Sequence, residues 1–150
     1  MGWSMIGWLR FTVFAAFVIY IGVVDLRIQK IPNVLLFLLA GMLICIDIIF
    51  NLKEIPLRFL AAFGSFGLFY AVSRFKGGLG FGDVKYAGVI GYFLGPKLVI
   101  AGLLCAVILG MLFWAFGHLL FRWSKDKRLP FAPCLGCGAL AVSLFHRGLL

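Results

Sequence analysis

Residues 98–121 read LVIAGLLCAVILGMLFWAFGHLLF, a run of twenty-four positions without one Asp, Glu, Lys or Arg. About 20 apolar residues wound as a helix cross the hydrocarbon core of a bilayer. Cutting the rest of the chain at charges and at Gly and Pro leaves five further apolar runs, near 4–24, 33–51, 57–73, 84–95 and 131–147. The run at 84–95 is short and ends at Gly95-Pro96, so it either begins inside the membrane or tilts. The first run is too long and too poorly bounded for a signal peptide, with no small-residue cleavage site before Asp25, and is expected to be a retained span.

Composition agrees. Of 150 residues, 64% are hydrophobic and 13% charged, with a mean hydropathy of +1.13. A soluble domain carries about 25% charged residues, and a chain this apolar cannot hide its surface from water by folding on itself. The expectation is an all-α membrane protein of about six transmembrane helices. No soluble domain, repeat or low-complexity tract stands out, so residues 1–150 are expected to form a single transmembrane domain.

The net charge of +9 comes from 14 Lys and Arg against five acids. No basic stripe with interleaved aromatics lies in a soluble segment, so nucleic acid is not an expected partner. The cations suit loops beside anionic lipid. With six crossings, one side receives Arg27, Lys30, Arg74, Lys76, Lys85, Arg122, Lys125, Lys127 and Arg128; the other receives Arg10, Lys53, Arg58, Lys97 and Arg147. The richer side should be cytoplasmic, which predicts a multi-pass protein of the cytoplasmic (inner) membrane with both termini outside.

Cys45, Cys105, Cys134 and Cys137 all lie in apolar stretches and read as small packing residues. Cys134-x-x-Cys137 has no second pair, and His118 and His146 are far apart, so neither metal nor cofactor is expected.

The acids remain. A carboxylate against hydrocarbon is costly and marks function more often than packing. Asp83 follows the glycines of Gly77-Gly78-Leu79-Gly80-Phe81-Gly82, at the predicted cytoplasmic mouth of the fourth span. Asp25 ends the first span at a similar depth. Asp47 lies 14 residues beyond Asn33, about 21 Å up a helix and toward the other face, Glu54 in an outer loop and Asp126 in a basic loop. Asp25 and Asp83 are therefore the acids that can share a site. Two such carboxyls share a proton, one activating water while the other polarises a carbonyl. Each acid also has a structural reading: Asp25 paired with Arg27 or Lys30, and Asp83 as a helix cap.

Three stretches carry a family resemblance: Asp25-Leu26-Arg27-Ile28-Gln29-Lys30-Ile31-Pro32-Asn33, then Gly77 to Asp83-Val84-Lys85, then Leu129-Pro130-Phe131-Ala132-Pro133 with Gly136 and Gly138-Ala139. In order, and over most of the chain, they resemble the type IV prepilin peptidases, membrane aspartic proteases with a GxGD motif. The resemblance implies that Asp25 and Asp83 are the catalytic pair, with the GxGD loop at the cytoplasmic mouth of the fourth helix. It also implies prepilin, pseudopilin or preflagellin-like substrates, whose short basic leader is cut on the cytoplasmic side after a Gly. Many members carry a cytoplasmic region with paired CxxC zinc ligands and also methylate the product. No such insertion follows the first span here, so peptidase activity alone is expected.

Supporting roles fall to neighbours. Lys30 is the basic residue of the first match. Lys85 fits either tuning of Asp83 and substrate contact or snorkelling to headgroups. Pro32 suits the start of the second helix, and Asn33 is expected to bond loop backbone. Gly80 and Gly82 are expected to permit the loop's shape; Pro130 and Pro133 shape entry to the last helix. Gly64, Gly67, Gly102 and Gly110 are expected at close helix contacts. Two other classes compete: a small proton- or cation-coupled transporter using the same aspartates, and a scaffold in which they are only caps.

Overall fold

The computed structural model describes residues 5–28, 31–76, 80–121 and 131–148. Within them lie six α-helices: α1 (Met5–Ile28), α2 (Asn33–Phe50), α3 (Ile55–Lys76), α4 (Phe81–Leu94), α5 (Val99–Phe121) and α6 (Ala132–Gly148). A single 3-10 turn, Leu52–Glu54, joins α2 to α3. Proline placement explains several boundaries. Pro32 is the N-cap of α2, Pro56 and Pro133 sit in first turns where no N–H is required, and Pro96 follows the end of α4. Gly95 adopts φ 72°, a backbone that other residues rarely take, and so turns the chain sharply from α4 toward α5.

Four helical stretches are long and apolar enough to cross a membrane: Met5–Ile28, Asn33–Phe50, Leu52–Phe75 and Val99–Gly117. Ala132–His146 is a shorter apolar helix. At most 28% of any of the four apolar windows is buried within the protein, so most of their surface is left for lipid. Phe63 and Phe75 of α3, 70% and 89% exposed, are typical of that outward face.

The short fourth run forms α4. Fourteen residues rise about 21 Å, less than the roughly 30 Å of a hydrocarbon core. α4 packs against α2, α3, α5 and α6 and supplies much of the core: Val84, Tyr86, Ala87, Ile90, Tyr92 and Phe93 are all buried. It is an enclosed helix whose apolar residues face protein on several sides.

Small residues make this enclosure possible. A Cβ at Gly91 would lie 2.6 Å from the Ala61 carbonyl oxygen of α3, and one at Gly138 would lie 2.6 Å from the Ala106 nitrogen of α5. The expected contact glycines are only partly these. Gly110 meets the Phe131 ring and Gly102 the end of Leu94, but Gly64 and Gly67 have nothing within 4 Å. The side of α3 that meets α4 is instead the one carrying Ala61, Ala62 and Ser65.

Candidate active site

Asp25 lies in the last turn of α1 and is 5% exposed. One oxygen accepts a hydrogen bond from the backbone N–H of Ala132 at 3.3 Å. Ala132 is the first residue of α6, whose opening N–H groups have no partner within their own helix. The Asp25 carboxylate satisfies one of them from a different helix. Pro133 packs beside it, 3.8 Å from where a Cβ at Gly22 would stand. Ala132 and Pro133 therefore dock α6 onto the acid-bearing turn of α1, while Pro130 lies outside the described residues.

Asp83 comes from the other direction, in the first turn of α4. The glycine run ends at its N-cap, Gly80, and Phe81, Gly82 and Asp83 are already helical. The Asp83 N–H donates to the Gly80 carbonyl at 3.0 Å. Asp83 is half-buried and lies within electrostatic reach of Asp25. Carboxyls from the end of α1 and the start of α4 thus lie at the same end of the bundle.

The glycines serve a purpose other than the expected one. Gly80 has φ −64° and ψ 141°, extended backbone open to any residue, and Gly82 is helical. Their contribution is lack of bulk. A Cβ at Gly82 would stand 3.3 Å from the Ile31 Cβ, and one at Gly80 would stand 3.4 Å from Asp83 Oδ2. Absent side chains leave room for Ile31 beside Gly82 and for the Asp83 carboxylate beside Gly80. Gly77, Gly78, Leu79 and Lys30 lie outside the described residues.

Lys85 and Asn33 are brought together. The Lys85 ammonium donates to Asn33 Oδ1 at 2.9 Å and sits 4.9 Å from the centroid of the Phe81 ring. Asn33 thus bonds a lysine side chain rather than the expected loop backbone. The pair ties the first turn of α2 to that of α4, which carries Asp83. Pro32 itself is exposed, and its carbonyl accepts the Leu35 N–H at 3.1 Å.

The opposite end of the bundle holds a cluster that charge counting missed. Asp47 is fully buried, with Arg10 at 3.3 Å and Arg58 at 3.6 Å, and Arg58 also pairs with the exposed Glu54. Arg10 and Arg58 are therefore not loop cations beside lipid headgroups. Without them, the poorer side of the charge count falls from five to three. The signal was available: Arg10 stands alone inside an apolar run, as Asp47 does, and isolated opposite charges in such runs commonly pair. An open cavity of about 360 Å³ lies beside this cluster, lined by Glu54, Arg58, Lys97, Ser143 and His146 among others, and none of its lining residues is Asp25 or Asp83.

Tyr86 was also missed. It is fully buried one turn along α4 from Asp83, its hydroxyl 2.8 Å from where a Cβ at Gly136 would lie. Cys134 is buried and Cys137 exposed, both with free thiols. Among the described residues no three His, Cys, Asp or Glu side chains converge as metal ligands.

Comparison with known proteins gives this arrangement a context. Residues 12–115 match the Type IV leader peptidase family. Over 135 residues the chain is 34% identical to the prepilin leader peptidase/N-methyltransferase of Bacillus subtilis (strain 168), an alignment covering 89% of this chain and 54% of that protein. The chain thus spans about half the length of this curated relative. No solved structure gives a significant match. The family match takes in Asp25, Asp83, most of α1 and all of α4, and with it this multi-pass membrane protein belongs to the type IV leader peptidase family.

Proposed function

We propose that the chain is a membrane aspartic endopeptidase that removes the basic leader of prepilin-like proteins, with Asp25 and Asp83 as its catalytic pair. The observation that carries this reading is the approach of two carboxyls from separate helices to one end of the bundle. One oxygen of Asp25 is engaged by α6, and Asp83 is half-buried, which suits a pair reached by both water and a substrate helix lying alongside.

The chemistry needs one carboxylate and one carboxylic acid. The carboxylate takes a proton from water as its oxygen attacks the scissile carbonyl, and the neutral acid donates a hydrogen bond to the developing oxyanion. Collapse of the tetrahedral intermediate returns a proton to the leaving amine. The cut follows a Gly, which leaves room for close approach of the peptide. The basic leader lies on the cytoplasmic side, facing the cation-rich end of the bundle, while the following hydrophobic helix stays in lipid. At physiological salt the repulsion between the leader and exposed loop cations is screened beyond about 8 Å. The transporter reading gains no support from the family match.

The test is purified protein in lipid with a prepilin-like substrate, the product's new N-terminus being sequenced. A single cut after the leader Gly is expected. No cut, or a cut elsewhere, contradicts the reading.

A further inference from the structure

α4 carries Asp83 at its first turn and ends in a second polar site ten residues later. The last carbonyls of a helix lack partners within it, and here Tyr92, Phe93 and Leu94 are all buried. Two guanidiniums supply the missing donors. Arg10 reaches the Phe93 carbonyl at 3.3 Å, and Arg58 reaches the carbonyls of Phe93 at 3.2 Å and Tyr92 at 3.5 Å. Asp47 stands between the arginines and, together with Glu54 on Arg58, balances their charge. Residues of α1, α2 and α3 thus converge on the end of α4, where positive charge also complements the helix dipole.

We propose that Arg10, Asp47 and Arg58 are positioning residues that fix α4 along its axis and so set the height of Asp83 against Asp25. The small-residue seam against α3 determines how closely α4 approaches its neighbour. Such a seam resists axial sliding weakly, whereas hydrogen bonds to the last carbonyls resist it directly. Stacking of Phe14 on Phe93, with centroids 3.9 Å apart, adds an apolar stop at the same level. Alignment matters because a displacement of about 1 Å costs a catalytic arrangement about a hundredfold in rate. The consequence for turnover rests on the peptidase reading; the placement of Asp83 does not.

The test separates the two. Gly82→Cys and Ile31→Cys, in a background lacking the native cysteines, place Cβ atoms about 3.3 Å apart, near the range of a disulfide. Their oxidation rate reports the height of the first turn of α4 without using activity. Asp47→Asn should slow cross-linking at least fivefold and, in the cysteine-intact chain, lower kcat about tenfold with KM within twofold. Arg10→Met with Asp47→Leu replaces a buried pair by apolar groups, a change that generally preserves folding, and should show the same two effects. Wild-type cross-linking rates in this double variant overturn the proposal, as does slowed cross-linking with unchanged kcat. If the parent chain cuts no leader, the peptidase reading fails, and cross-linking alone decides whether the cluster sets the height of α4.

Discussion

Gly91→Ala tests whether the enclosure of α4 is as tight as its packing implies. The added Cβ would stand 2.6 Å from the Ala61 carbonyl oxygen and would run into the Ser65 hydroxyl. Ordinary contact begins near 3.4 Å, so α3 and α4 must separate by about 0.8 Å at this level. Ser65 can rotate, but it then gives up its hydrogen bonds to the Ala61 and Ala62 carbonyls at 2.8 and 3.0 Å. Overpacking of this kind costs about 1–3 kcal/mol. Alanine's better helix propensity returns up to about 1 kcal/mol. Those two terms leave a loss of about 0–2 kcal/mol, and the displaced Ser65 hydroxyl adds about 1 kcal/mol to it. Gly67→Ala is the matched control, since nothing lies within 4 Å of its Cβ and it receives only the propensity term. Unfolding of both variants in mixed micelles, followed by helical circular dichroism, should place Gly91→Ala below the parent and Gly67→Ala at or above it. Turnover of Gly91→Ala should fall by tenfold or more, because α4 moves with its acid. Equal stability of the two variants would refute the close α3–α4 contact.

Other outcomes follow from the same geometry. Lys85→Met and Asn33→Ala should each lower turnover about threefold to tenfold, and the double variant should lose little more than either alone, because one 2.9 Å bond is removed in every case. Additive losses in that cycle would show that the two residues act separately. The pH dependence of kcat/KM should be bell-shaped, since the mechanism needs one protonated and one ionised carboxyl; a profile flat from acid to neutral pH counts against a shared proton. Gly138→Ala should lower stability by about 1–3 kcal/mol, because its Cβ meets Ala106 backbone that cannot rotate away. Unchanged thermal unfolding would contradict that contact.

The helices were legible in the sequence because hydropathy and proline placement report length and boundaries directly. The expected run at 98–121 is α5, Val99–Phe121, and that at 33–51 is α2, Asn33–Phe50. Their partners were less legible. Gly64 and Gly91 look alike in sequence, yet only Gly91 faces another helix, and the facing is decided by tertiary packing. The fourth run was legible as a short helix ending at Gly95-Pro96, but its enclosure was not, because enclosure and lipid exposure select the same residue types. Depth sorting placed Asp25 and Asp83 at one end of the bundle, in keeping with the opposed senses of α1 and α4, whose other ends meet through Arg10 and Phe93. It treated Arg10 and Arg58 as surface cations because a charge count carries no information about pairing. The Lys85–Asn33 bond was also hidden, since its two residues are 52 positions apart and both suit headgroups.

On the proposed mechanism both carboxyls are required for one chemical step. The direct measurement is turnover of a prepilin-like substrate by Asp25→Asn and Asp83→Asn, each purified in lipid and shown to fold by its unfolding midpoint. Loss of an activated nucleophile or of oxyanion stabilisation costs about a hundredfold to ten-thousandfold. Each single variant should fall by at least that much, and the double variant by little more. Substrate processing at the parent rate by either single variant would contradict the two-carboxyl account.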